Sequence, residues 1–234
     1  MKKFLALLLF LGVLPQGVSA QDSTTCDSYR DVPVAIAPVF DEPRLDASQD
    51  LDSIQSIASD RLHSIPHNET IAMGITRYRP VLELHVPMVV ETASTGLSCA
   101  RLERVRVTVG YRDVTIFIAN EIAKGTCGFS ETLGHEQKHV AINRQLLLEF
   151  APRIENELKS YLRLYGSFRV ENVHDAEQRL HERVKDFMDD MVEQMRTENL
   201  RRQQLVDSRS EYDRLAHVCG GELSRIATHY KKNR

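Results

Sequence analysis

The chain has 234 residues, with 30 Lys and Arg against 33 Asp and Glu, 9 His, 4 Cys and no Trp. Its basic residues are interspersed with acids, and no basic cluster alternates with aromatics, so the composition argues against a nucleic-acid surface. The length suits one sizeable domain, and no Gly/Ser- or Pro-rich linker divides it.

Lys2 and Lys3, the apolar run from Phe4 to Leu14 and the small residues around Val18-Ser19-Ala20 predict a secretory signal peptide over residues 1–20, with Gln21 opening the mature chain. The apolar run is too short to span a bilayer, so no membrane span is expected once the leader is cut. No cysteine follows the cut, which argues against a lipid anchor there. The Met-Lys-Lys start has the style of a bacterial export signal and points to the periplasm or the cell exterior. Loss of Lys2 and Lys3 leaves 28 basic against 33 acidic residues, a net charge of about −5. Cys26, Cys99, Cys127 and Cys219 make an even count in an exported chain, which implies two disulfides. Three pairings are open, and the wide spacing excludes a Cys-x-x-Cys metal or redox motif.

Residues 21–50 carry Pro33, Pro38 and Pro43 among polar and acidic residues and read as an extended or coil-like segment. A short helix fits 51–62, where Leu51, Ile54, Ala58 and Leu62 make a helical stripe. Residues 82–91 read as a strand that Pro87 confines to an edge or a bulge. Residues 102–109 and 114–119 read as two more strands, joined through Gly110-Tyr111-Arg112-Asp113 as a hairpin. Ser130 is the expected N-cap of a helix running to about residue 164, with a bend at Pro152 and an end at Tyr165-Gly166-Ser167. A second long helix fits 175–215, with Leu180, Val184, Met188, Met191 and Met195 on its apolar side; methionines at this spacing belong to a core. The predicted fold class is α+β: a small antiparallel sheet, then two long antiparallel helices, with 51–234 forming one domain.

The first of those helices carries His135-Glu136-Gln137-Lys138-His139. Side chains four apart share a helix face, so His135 and His139 can reach one ion, and Glu136 beside them can take a proton from water that the ion activates. The pattern points to zinc-dependent hydrolysis, against the bland alternative of a surface helix with two solvated histidines. Catalytic zinc takes three protein ligands. The segment Glu211-Tyr212-Asp213-Arg214-Leu215-Ala216-His217 offers His217 as the third, with the Tyr212 phenol as a donor to a developing oxyanion. Glu171 is the alternative ligand, with Asp175 orienting a ligand histidine. His174 and His181 read as solvated, and His63, His67, His85 and His229 lack a carboxylate partner at useful spacing.

With the pentapeptide and the downstream Tyr212-Asp213 and His217 in view, the chain resembles the zincin class of metallopeptidases. More narrowly it resembles a family of small exported bacterial proteins described as zinc-dependent proteases, in which a His-Glu-Gln-x-His helix precedes a Tyr-Asp segment that leads to a His-Gly pair. Here His217 stands one residue nearer to the tyrosine, and Val218-Cys219 separates it from Gly220. The resemblance covers about residues 129–222. It implies zinc held by His135 and His139, Glu136 as general base, and a peptide or protein substrate paired alongside a strand such as 114–119.

Overall fold

The computed structural model describes residue 26 and residues 31–62, 71–92 and 96–233, without side chains at 59–62. The expected signal peptide and the histidines at 63 and 67 lie outside the described residues. The elements are β1 (Val34–Phe40), β2 (Arg44–Asp46), α1 (Leu51–Leu62), β3 (Gly74–His85), β4 (Met88–Thr92), β5 (Ser98–Leu102), β6 (Val105–Ile118), α2 (Cys127–Tyr165), β7 (Ser167–Arg169), α3 (Val173–Val206) and α4 (Arg209–Lys232). The α+β class holds, and the long helices α2, α3 and α4 follow the main sheet.

That sheet is built around β6, whose Val105, Val107, Val109, Val114, Ile116 and Ile118 are buried. Strand β3 pairs antiparallel with β6 along nearly its whole length, from Gly74↔Ile118 to His85↔Arg106. The other edge of β6 is shared end to end by β1 and β2, both parallel to it. The sheet is therefore mixed and not purely antiparallel, and the segment expected to be coil supplies two of its strands. Val34, Ile36 and Phe40 carry enough apolar character to pair, and Pro38 is tolerated because β1 lies at an edge, where a missing N–H breaks no ladder on its outer side. A second sheet, β4-β5-β7, is antiparallel. Pro87 separates β3 from β4, so the single strand expected over 82–91 is two.

The expected hairpin at Gly110–Asp113 is instead an irregular stretch inside the continuous β6. Gly110 has φ 149°, and a Cβ there would meet Val39 O at 1.9 Å, so only glycine lets β1 run alongside. Asp113 follows at φ 54°, and β3 shifts register opposite, between Arg77 and Arg79. Turn-forming residues here accommodate a bulge, which requires the same positive φ as a tight turn.

Helix α2 begins at Cys127, with Thr126 as N-cap accepting from Phe129 N at 3.2 Å. Ser130, the expected cap, is one turn inside, and its hydroxyl donates to Thr126 O. The helix continues through Pro152 to Tyr165 with Gly166 as its C-cap. Leu146, Phe150, Ile154, Leu158 and Leu162 of α2 are buried, as are Leu180, Val184, Met188, Met191 and Met195 of α3. Burial of each such side chain contributes about 1.5–3 kcal/mol, so this seam holds the helix pair together.

The second long helix differs from its expectation. It stops at Val206, turns at Asp207, and restarts at Arg209 with Ser208 as N-cap. Helix α4 then breaks at Val218–Gly221, where the backbone leaves the helical region. Among the described residues no helix is long and apolar enough to cross a membrane. The disulfides pair Cys26 with Cys99 and Cys127 with Cys219. The second bridge ties the first turn of α2 to the break in α4, and beside it Gly128 N donates to Glu222 Oε2 at 2.9 Å, a carboxylate set against the positive end of the α2 dipole. The bridge closes a span of 92 residues; replacing both cysteines by Ser is expected to lower the unfolding free energy by about 2–5 kcal/mol, read from denaturant midpoints.

Candidate metal centre

His135 and His139 lie one turn apart on the face of α2 turned toward β3 and the α3–α4 corner. Their Nε2 atoms are 3.3 Å apart, and the side chains are only 8% and 14% exposed. The strand can approach this closely because residue 74 is glycine: a Cβ there would lie 2.9 Å from Thr132 Cγ2 and 3.1 Å from Glu136 Cγ. Two positions along, Thr76 points the same way and donates its hydroxyl to Glu136 Oε2 at 2.8 Å. Glu136 is thus buried against the sheet beside the imidazole pair. Burial pushes its carboxyl above the ordinary range, against the lowering influence of His139, His135 and the Thr76 hydrogen bond. His135, Glu136 and His139 form a buried group that could hold a metal ion.

Three side chains spaced four residues apart across the α3–α4 corner address this pair. Gln203 Oε1 accepts from His139 Nδ1. Asp207 Oδ1 stands 3.2 Å from His135 Nε2 and 3.2 Å from His139 Nε2. Glu211 Oε1 is 3.5 Å from His135 Nδ1. The Gln203 amide is oriented by its own bond, Nε2 donating to Asn143 Oδ1 at 3.0 Å, while Asn199 Nδ2 donates to the same oxygen at 2.5 Å. With its amide nitrogen committed to Asn143, Gln203 presents an oxygen to His139, which makes Nδ1 the protonated nitrogen and leaves Nε2 as the site for a metal. Glu211 also accepts from Lys138 Nζ at 2.6 Å and Arg214 Nε at 2.9 Å. The Arg214 hydrogen bond, ahead of those from Lys138 and His135, holds its carboxyl down to about 2.

Tyr212 comes to the site, its ring centroid 6.1 Å from that of His135, and its hydroxyl donates to Asp207 Oδ1 at 3.2 Å. Burial pushes the phenol pKa up, and the Asp207 charge adds to that. His217 is not brought to the pair. It is exposed, with Nδ1 2.7 Å from Asp213 O. Five residues along a helix turn it by about 140°, so the register that aims Tyr212 at the imidazoles aims His217 at solvent. Glu171 and Asp175 are exposed at the far end of α3, about 50 Å of helix from the Asp207 corner. Asp207 is the residue that sequence reasoning missed. A detectable signal existed in the Gln203-x3-Asp207-x3-Glu211 spacing, since side chains four apart share a helix face, but that this face meets the histidines is decided by the packing of α3 and α4 on α2.

The site opens into a cavity of about 690 Å³ between β3, α2, α3 and α4, whose lining includes Gly74, Thr76, Glu136, Asp207 and Tyr212. Among the described residues no strand pairs with the outer edge of β3. Ala119 N donates to Met73 O at 2.9 Å, so by antiparallel alternation residues 73, 75 and 77 direct their backbone groups to β6, while Gly74 and Thr76 turn theirs away from it. The expected docking strand, 114–119, has no open edge, since it lies in β6 between β2 and β3.

Comparison of the chain with protein-family models, with curated proteins and with solved structures finds no match in any of the three.

Two outcomes test the centre. Replacing Gln203 by Leu removes the hydrogen bond that fixes the His139 ring and, if the group holds a metal ion, is expected to weaken that binding about 10- to 100-fold in chelator competition. Burial pushes the His139 pKa down, but the Asp207 hydrogen bond and the Glu136 and Asp207 charges outweigh it and raise it to about 9. A metal must therefore displace a proton at pH 7, and apparent affinity should rise with pH and level off above about 9. Calorimetry in buffers of different ionisation enthalpy counts the protons released.

Proposed function

We propose that the chain is an exported zinc-dependent metallopeptidase, with His135 and His139 as metal ligands and Glu136 as general base. The observation that carries this reading is the pair of buried imidazoles, with Nε2 atoms 3.3 Å apart and both Nδ1 atoms engaged by neighbouring oxygens. Imidazoles tied off at one nitrogen present the other to a metal in a fixed orientation, the arrangement expected of ligand histidines with their supporting partners. Two ring nitrogens and nearby carboxylates are donors that zinc accepts. Bound there, zinc would supply Lewis-acid polarisation of a carbonyl and a water acidic enough to ionise near neutral pH.

The residues around the ion divide the remaining work. Glu136 is buried, accepts a hydrogen bond from Thr76 and faces the same cavity as the imidazoles, so it can take up a proton from an attacking water and return it to a leaving amine. Burial keeps it basic enough for that exchange, because a carboxyl with a raised pKa holds a proton more readily. Strand β3 lines the cavity with Gly74 and Thr76, so an extended peptide laid in that cavity would lie along the strand. Export is supported by the leader-like start, by the two disulfides, which fit an oxidising compartment, and by the resemblance to exported zinc-dependent proteases.

The test is cleavage of a broad peptide library by protein of measured zinc content, wild type against Glu136→Ala. The variant should retain zinc and lose about 10²- to 10⁴-fold in turnover; unchanged turnover refutes the assigned base. The Thr76 hydrogen bond holds the Glu136 carboxyl down. Thr76→Val therefore raises its pKa, and since the base works ionised, the acid limb of kcat/KM against pH should move to higher pH.

A further inference from the structure

We propose that Asp207 completes the metal site as its third protein ligand and that Tyr212 is the positioning residue that holds the Asp207 carboxylate in place. The inference rests on the metallopeptidase reading of the His135–His139 pair and assigns what that reading leaves open.

The geometry carries it. His135 Nε2, His139 Nε2 and Asp207 Oδ1 form a nearly equilateral triangle with sides of 3.3, 3.2 and 3.2 Å. Zinc bonds to imidazole and carboxylate of about 2.0–2.2 Å, at tetrahedral angles, set donor atoms about 3.3 Å apart. The three atoms thus stand at the spacing of three ligands around one ion. An ordinary ion pair needs only one imidazole on the carboxylate, whereas here a single oxygen is shared evenly between two, and the two imidazole atoms that converge on it are the ones their Nδ1 partners leave available. The carboxylate is 16% exposed, so it is not a freely rotating surface group.

Local structure explains the placement. Asp207 is the C-cap of α3, its N–H donating to Gln203 O at 2.9 Å, and Ser208 caps α4 immediately after it. The long helix bends at those two residues, and the Asp207 side chain, where α3 ends and α4 begins, stands against the imidazoles of α2. Tyr212, one turn into α4, returns its hydroxyl to Oδ1 at 3.2 Å. Its phenol would thereby act on a bound ion through Asp207. Asp207, His135, His139 and Tyr212 all line the cavity, so an ion held by the three donors would be reached from the space a substrate would enter. Zinc with three protein ligands and an open fourth position is the catalytic type and not the closed structural type.

The experiment measures zinc affinity of the full chain by chelator competition, together with zinc K-edge absorption for the ligand set and far-UV circular dichroism for folding. Asp207→Ala and His139→Ala should each lose more than about 100-fold in affinity, beyond what loss of a supporting partner costs. Asp207→Asn keeps the shape of the corner and should lose affinity as well, which decides the matter if the alanine variant does not fold. Tyr212→Phe should lose about 10-fold, and His217→Ala none. The absorption fit of wild type should contain two imidazoles and an oxygen ligand that is altered in Asp207→Asn. Wild-type affinity and an unchanged spectrum in Asp207→Asn overturn the proposal. If His139→Ala still loses zinc in that case, the metallopeptidase reading stands without Asp207; if it too binds as wild type, both fall. Affinity lost in His217→Ala to the same extent as in His139→Ala overturns Asp207 in favour of the histidine.

Discussion

The carboxylate of Asp207, set 3.2 Å from two buried imidazoles, is the contact around which the rest of the molecule is organised. Burial opposes the charge of this carboxyl, yet hydrogen bonds from His135 and His139 outweigh it and hold the group well below the ordinary carboxylate range. A charge so placed is tolerated only while its partners stay in position, because removing one partner leaves the other desolvated and unpaired. The helix that bears the histidines and the corner that bears the aspartate must therefore be held in register from outside the site.

Two independent devices do this. At one end the apolar seam between α2 and α3, from Leu162 and Leu180 through Ile154 and Met188 to Met195, fixes the helix pair along its length. At the other end the Cys127–Cys219 bridge and the Gly128–Glu222 hydrogen bond pin α4 to the first turn of α2. Between them, Asn143, Asn199 and Gln203 carry the packing of the seam into the orientation of the His139 ring. Fold stability and ligand orientation are thus linked through a chain of side chains in direct contact, with the sheet contributing Thr76 to hold Glu136 beside the pair.

Much of the helical half was legible in the sequence because its signals are local and repetitive. The stripe from Leu180 to Met195 predicts one buried face whatever packs against it, and that face is buried. The sheet was less legible. Val34, Ile36 and Phe40 are diluted by Pro33 and Pro38, and pairing parallel to a strand some 70 residues later is a non-local event that leaves no local mark. Gly110 and Asp113 misled for a related reason: positive φ serves a bulge and a hairpin alike, and only the pairing of β3 on both sides of this stretch distinguishes them.

By itself, the sequence determined that two histidines and a glutamate share one helical region, because i and i+4 spacing on a helix leaves no other geometry, and that cysteines in even number occur behind a leader-like start. Tertiary structure alone decided which cysteines pair, which strands flank β6, and which distant side chain meets the histidines. The reason is angular. A break of two residues at Asp207 and Ser208 bends the long helix and interrupts its register, and from that point the facing of every later side chain depends on α4. Tyr212 is turned inward, His217 is turned to solvent, and an aspartate at the break stands where the spacing pattern had placed a histidine.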